Sequence, residues 1–398
     1  MRISVIALGL LMAACDGGND KGAATGGDAG TAGASGGSGG ASGGTAGASG
    51  GSSAGASGSS GAAGTAALPC PEPASVGARL VGRFDGCDPT GPRFAWSGAG
   101  LVARFEGTGI ALRLKDRPNQ YTVLVDGELG PLLETSAGEA LYPLAEGLES
   151  GEHTLEVYRR TEASFGSTVV LGLEVEGGEL LDPPEPPARR IEVVGDSITC
   201  GYGNEGTSPS CPFSADTENH YLTYGALMAR ELEAELSTVA WSGKGVVSNY
   251  GGDKVAPMPL LYDRAVPNDA KSTWTFDWKP DAVVINLGTN DYSTDNDPSD
   301  AEFVSTYAAL LERIRGYYPE AWILCTVGPL LSGADLAKAR ANIAAAVAAR
   351  MDAGDTKLRA YSLTTPNTNP GCDYHPSVAT HEAMAAELAP ELRSLLGW

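Results

Sequence analysis

Four short segments of this chain carry residue types that could transfer an acyl group. Gly195-Asp196-Ser197 offers a hydroxyl on a tight turn, and Asp373-Tyr374-His375-Pro376 offers an imidazole, the side chain whose ordinary pKa lies closest to neutrality. Ser242-Gly243-Lys244-Gly245 adds a glycine that permits close approach to the backbone, and Gly288-Thr289-Asn290-Asp291 adds a side-chain amide. Acyl transfer needs a nucleophile, a base and donors for the oxyanion that forms. Ser197 fits the first role and His375 the second. The backbone N–H groups of Ser197 and Gly243, with the Asn290 amide, fit the third. Singly each residue says little: a serine after a strand is usually a turn residue, and an asparagine at a strand end usually bonds its own backbone. Order and placement together carry the reading.

That placement depends on the elements. From residue 191 onward, strand-like runs alternate with helical ones. Ile191 to Val194 reads as a strand, and Asn219 to Leu236 as a helix with Leu222, Ala226, Ala229, Leu232 and Leu236 on one face. Strands follow at Ser237 to Trp241, Asp281 to Leu287, Trp322 to Val327 and Leu358 to Leu363, with helices over 301–315 and 336–351 and at the C-terminus. Such alternation predicts an α/β domain over 190–398, a parallel sheet with helices on both faces. In open parallel sheets the ligand crevice lies at the carboxyl ends of the strands. Three of the four segments follow strands, so they should open onto one crevice. The fourth precedes the last helix and should fold over the same edge. Over 69–182 the pattern is different. Leu101 to Phe105, Ile110 to Leu114, Tyr121 to Val125, His153 to Tyr158 and Val169 to Val175 read as short strands, with Asp126-Gly127 as a hairpin turn. These predict an antiparallel β-sandwich. Four prolines within 183–187 make a stiff hinge between the two.

Composition narrows the partners. Asp plus Glu outnumber Lys plus Arg by 49 to 27 in 398 residues, for a net charge of −22. Nucleic acid and anionic membrane surfaces call for a cationic face and are poor candidates; a neutral polymer is compatible. Residues 16–68 are nearly all Gly, Ala, Ser and Thr and read as a flexible linker. Before them, Arg2 and an apolar run to Ala14 suit an export signal over 1–15. Leu11-Met12-Ala13-Ala14-Cys15 resembles a bacterial lipobox. That resemblance implies cleavage before Cys15, a lipid on its sulfur and an exported, envelope-anchored protein held to the membrane by that lipid alone. Six further cysteines, at 70, 87, 200, 211, 325 and 372, permit disulfides in an oxidising compartment, and their pairing stays open. Cys70 with Cys87 would staple the start of the sandwich, and Cys325 reads as a small buried hydrophobe.

Taken together, Gly195-Asp196-Ser197-Ile198, Gly243, Gly288-Thr289-Asn290-Asp291 and His375-Pro376 resemble the four signature blocks of the SGNH, or GDSL, hydrolase superfamily. The longer string Gly195 to Asn204, behind a β-sandwich (jelly-roll-like), resembles carbohydrate esterase family 2 more narrowly. The resemblance implies a three-layer α/β/α fold and removal of acetyl groups from xylan, glucomannan or related sugars, with no metal or other cofactor. It makes Ser197 the nucleophile, His375 the base, and Gly243 and Asn290 oxyanion donors. Many relatives place the orienting Asp three residues before the His. Here Cys372 stands there, and Asp373, two before, is the candidate. Some relatives work instead with a Ser–His dyad oriented by a backbone carbonyl.

Sugars need aromatic platforms. Tyr374 is the first candidate, followed by Tyr292 and Trp241, with Trp274 and Trp278 behind them; core packing competes for each. Asp196 and Asp291 are expected to bond backbone or hold crevice loops. His375 and His381 stand six apart, not at the four-residue helical spacing of zinc enzymes, so no metal is expected. A monomer is expected. Two other readings keep the same residues: an esterase for lipids, thioesters or peptidoglycan acetyl groups, and a surface carbohydrate-binding lipoprotein.

Overall fold

The computed structural model describes residues 75–398. The signal segment, Cys15, the linker and Cys70 lie outside the described residues. Cys87 is disulfide-bonded.

The N-terminal part is two antiparallel sheets. One runs Arg79–Val81, Gly100–Gly107, Gly151–Arg159, Gln120–Val125, Glu128–Leu129, with Glu179–Leu181 and Leu133–Glu134 added beside it. The other runs Arg93–Phe94, Thr168–Glu176, Gly109–Asp116, Gly138–Ala145. Alternation sets the faces: Leu112 and Leu114 are buried while Lys115 is exposed. Inward residues of both sheets, among them Phe94, Leu101, Phe105, Leu112, Tyr121 and Val157, form one core. Asp126 and Gly127 both take positive φ, 53° and 80°, as a two-residue primed turn requires.

The second part is a five-stranded parallel sheet. Its order is Ala234–Ala240, Arg189–Gly195, Ala282–Asn286, Trp322–Thr326, Leu358–Ala360. Strand residues alternate between two cores. Val194, Val283, Ile285, Ile323 and Cys325 face the helices Asp300–Tyr317 and Gly333–Asp352. Ile191, Val193, Ala282, Val284 and Leu324 face Tyr224–Glu231 and Val378–Leu396. The result is the expected three-layer α/β fold. The helix expected from Asn219 to Leu236 is shorter. A one-turn segment His220–Leu222 comes first, Thr223 caps the helix Tyr224–Glu231, and Glu233 at φ 54° turns the chain into the strand Ala234–Ala240. Leu236 therefore pairs in the sheet opposite Ile191. Spaced leucines look alike whether one helix carries them or a helix hands over to a strand.

Strand order places the crevice. Gly195 pairs with Ala240 on one side and Asn286 on the other. The order reverses around the strand Arg189–Gly195, and ligands of such sheets sit outside the carboxyl ends at that reversal. Ser197, Ser242 and Asn290 all follow these three strand ends.

Candidate active site

The nucleophile turn starts where only glycine fits. A Cβ on Gly195 would lie 2.0 Å from Thr199 Oγ1 and 3.2 Å from the Asn286 carbonyl oxygen. Asp196 then caps the single helical turn Ser197–Cys200, its Oδ1 accepting from Ile198 N–H at 3.1 Å. Ser197 thus becomes the first residue of that turn.

Ser197 Oγ lies 2.8 Å from His375 Nε2. His375 Nδ1 lies 3.0 Å from the backbone oxygen of Asp373, so Nδ1 donates and Nε2 is left to accept from the serine hydroxyl. Burial pushes His375 down to about 4, which keeps the imidazole neutral and able to take a proton near neutral pH. The Asp373 carboxylate does not orient the histidine. It accepts from Tyr202 O–H at 2.9 Å and Phe213 N–H at 3.2 Å. Asp373 and Tyr374 both have positive φ, 48° and 61°, and this tight bend brings the Asp373 carbonyl, not its side chain, under the imidazole.

The loop bearing His375 is tied down. Cys372 is disulfide-bonded to Cys211, Cys372 N–H donates to Gly203 O at 2.9 Å, and Asp373 N–H donates to Cys211 O at 3.0 Å. Tyr202 packs against the His375 ring at 4.2 Å between centroids and stacks on Phe213 at 3.9 Å. Sequence reasoning missed Tyr202 and Phe213. The cysteines nearest them, 211 and 372, were the available signal.

Gly243 sits at φ 78°, a conformation that favours glycine. Among the described residues, neither its N–H nor that of Ser197 has an acceptor in the protein. Asn290 Nδ2 donates to Lys244 O at 3.0 Å and Asp196 Oδ2 at 3.3 Å, joining the nucleophile turn to the Gly243 turn. Donation to an oxyanion would replace the longer of these bonds. Burial, with the nearby Asp291 carboxylate adding to it, pushes Asp196 up to about 7. Asp291 accepts from the N–H groups of Val246, Val247 and Ser248 at 2.7 to 2.9 Å and holds the loop that follows Gly243.

The aromatic candidates divide. Tyr374 is 64% exposed beside His375. Tyr292 is not available to a sugar: it is fully buried, packs on Phe303 at 5.0 Å, and its hydroxyl accepts from Asn342 at 2.9 Å. It belongs to the core because the turn Thr289–Tyr292 points its last residue under the helix Gly333–Asp352. Trp241 is half-buried and packs against the core, with Lys244 Nζ 5.5 Å from its ring. Trp274 packs near Arg83, and Trp278 donates to Glu235; both are structural. An exposed aromatic that sequence reasoning did not rank is Tyr250, whose N–H donates to Gly243 O at 2.9 Å. His381 and His220 are buried against Tyr224 and Thr238 respectively.

Both parts of the chain resemble known proteins. Residues 80–184 match the family model described as carbohydrate esterase 2 N-terminal, and residues 193–383 that of the GDSL-like lipase/acylhydrolase family. The chain is 41% identical over 337 residues to a cellulase/esterase, CelE, of Acetivibrio thermocellus, covering 82% of this chain and 40% of that protein. The chain therefore spans less than half the length of that relative. It is 26% identical over 333 residues to an acetylxylan esterase / glucomannan deacetylase of Cellvibrio japonicus, covering 80% of this chain and 89% of that one. A solved family two carbohydrate esterase from Clostridium thermocellum, in complex with cellohexaose, superposes with a TM-score of 0.78 at 40% identity, over 81% of this chain and 99% of that one.

Proposed function

Since the chain belongs to carbohydrate esterase family 2, we propose that it is a serine esterase that removes O-acetyl groups from hemicellulose-type polysaccharides. The observation that carries this is the 2.8 Å contact of Ser197 Oγ with a neutral His375 Nε2 beside the uncommitted N–H groups of Ser197 and Gly243. His375 takes the Ser197 proton as Oγ attacks the acetyl carbonyl. The oxyanion is received by the two N–H groups and by Asn290, which exchanges its bond to Asp196. The protonated His375 then gives its proton to the departing sugar oxygen. Water, deprotonated by the same nitrogen, releases acetate from Ser197. His375 is oriented by the Asp373 carbonyl, so the pair works as a dyad. Exposed Tyr374 and Tyr250 offer sugar-stacking faces next to the base and the Gly243 turn.

The substrate class is supported by the names of the relatives, acetylxylan esterase / glucomannan deacetylase among them. The lipobox-like Cys15 supports export and attachment to the cell envelope, with 16–68 as the tether, and we take the enzyme to act as a monomer. The test is hydrolysis of an aryl acetate and of acetylated xylan. Ser197→Ala should lower kcat on both by roughly 10⁴-fold or more. A variant that keeps substantial activity would remove the serine mechanism.

A further inference from the structure

Behind the Gly243 turn lies a buried acidic group that the mechanism above does not use. Glu162 comes from the antiparallel part, on the loop after the strand Gly151–Arg159, and is 3% exposed. Its Oε2 accepts from Ser242 N–H at 2.7 Å. The same oxygen lies 3.6 Å from Cys200 Sγ, at the end of the turn that Ser197 begins. Oε1 accepts from Ser164 O–H at 3.0 Å. Glu162 N–H in turn donates to Glu218 Oε2 at 3.0 Å.

The loop itself is braced. Arg159 is fully buried and donates to the backbone oxygens of Thr161, Glu162 and Gly166 at 2.8 to 2.9 Å, and to Thr168 Oγ1 at 3.1 Å. Asn268 donates to Ala163 O at 2.8 Å. The carboxylate therefore stands on a fixed support, and one of its oxygens reaches both the nucleophile turn and the Gly243 turn.

We propose that Glu162 is a positioning residue for the oxyanion site, supplied by the sandwich to the hydrolase. Ser242 directly precedes Gly243, and Lys244 directly follows it and accepts from Asn290. Fixing Ser242 N–H thus sets where the Gly243 N–H points and where the Lys244 carbonyl holds the third donor. Oxyanion donors act through a geometry set before the reaction, and small displacements are costly. The sandwich on this account is part of the catalytic device. The inference rests on the reading of Gly243 as an oxyanion donor.

Full-length Glu162→Gln, Glu162→Asp and Glu162→Leu separate reach from charge. Gln keeps an acceptor oxygen at the same distance, Asp keeps the charge but withdraws it, and Leu removes the acceptor. On an aryl acetate, Gln should stay within about fivefold of wild type in kcat, while Asp and Leu fall by roughly 10–100-fold with KM within about twofold. The affinity of an alkylboronic acid, which forms a tetrahedral adduct on the serine, should fall in parallel with kcat/KM. Active-site titration with a fluorophosphonate counts competent sites, so a variant that folds poorly is corrected for its folded fraction. Equal loss in Gln and Leu, unchanged boronate affinity in Asp and Leu, or a loss confined to KM would overturn the role of Glu162. If instead wild type binds no boronate and Ser197→Ala stays active, the serine reading beneath it fails.

Discussion

At the scale of single residues, the orientation of His375 carries a sharp consequence. Its Nδ1 partner is a backbone oxygen, 3.0 Å away, that no side-chain substitution removes. Replacing a true triad carboxylate by its amide drops kcat by about 10⁴ because the imidazole takes the wrong tautomer. Asp373→Asn should instead leave kcat/KM on an aryl acetate within about tenfold of wild type. Asn tolerates the positive φ at this position and keeps an acceptor for Tyr202. The pH profile supplies a second reading on the same variant. The base must be neutral, and burial holds His375 at about 4. Activity should therefore persist well below the ordinary imidazole value near 6.5 and decline as pH falls through about 4 in wild type. The nearby Asp373 charge raises His375, so its loss in the variant should move that decline to lower pH, never higher. A 10³-fold loss in Asp373→Asn would restore the carboxylate to the mechanism. Ser197 and His375 were legible because their residue types, order and strand-end position converge. The partner of Nδ1 was not, since Asp373 can present either its carboxylate or its carbonyl, and only the two positive φ angles decide which.

At the scale of elements, the sheet and its crevice could be read from period and order, whereas the loop that delivers the base could not. Alternating strands and helices specify a parallel sheet, and the reversal in strand order then fixes which edge holds the site. The His375 loop has no such period; it is held by Cys211–Cys372, 161 residues apart in sequence, by Tyr202 and by scattered backbone bonds. Six cysteines allow too many pairings for sequence to choose this one. A closure that long restrains the unfolded chain, and removing it by Cys211→Ser with Cys372→Ser should cost about 2–4 kcal/mol in chemical denaturation. Because the same link fixes the loop carrying His375, kcat should fall in the folded double variant by roughly tenfold or more, measured at a temperature well below its melting transition. Lost stability with unchanged kcat would show that backbone bonds and the Tyr202 contact suffice to place the base. The Tyr292 expectation failed for a related reason. A tyrosine one residue after an active-site block looks surface-directed in sequence, yet a short helical turn carries it inward against Phe303.

At the scale of the molecule, the two parts share interior. Trp96, from the antiparallel part, is fully buried in the core of the parallel sheet with Val194, Val239 and Leu287, and its indole donates to Arg264 O at 3.2 Å. Arg83 crosses the same seam. Its guanidinium meets Glu192, on the first parallel strand, at 2.9 Å with both side chains fully buried, and lies over the rings of Tyr262 and Phe276 at 4.8 and 5.2 Å. The hydroxyls of Tyr262 and Tyr318 donate to the two oxygens of Glu192 at 2.6 and 3.3 Å. Two domains joined only by the proline segment would unfold separately; these contacts should make them unfold as one. Cutting one member of a buried ion pair strands the other charge, at a cost of about 3–5 kcal/mol. Arg83→Met should therefore lower the denaturation midpoint of the whole molecule in a single transition, including the hydrolase that contains no substitution. Adding Glu192→Gln removes the stranded charge, keeps an acceptor oxygen for the shorter bond from Tyr262 and sets an amide N–H beside Tyr318, whose hydroxyl can accept from it, so the double variant should recover more than half of the loss. Additive losses would mean that Arg83 acts by packing on the aromatic rings, not through Glu192. Two separate transitions in Arg83→Met would mean that the sandwich is an appendage, and would weaken the case that its Glu162 shapes catalysis across the same boundary.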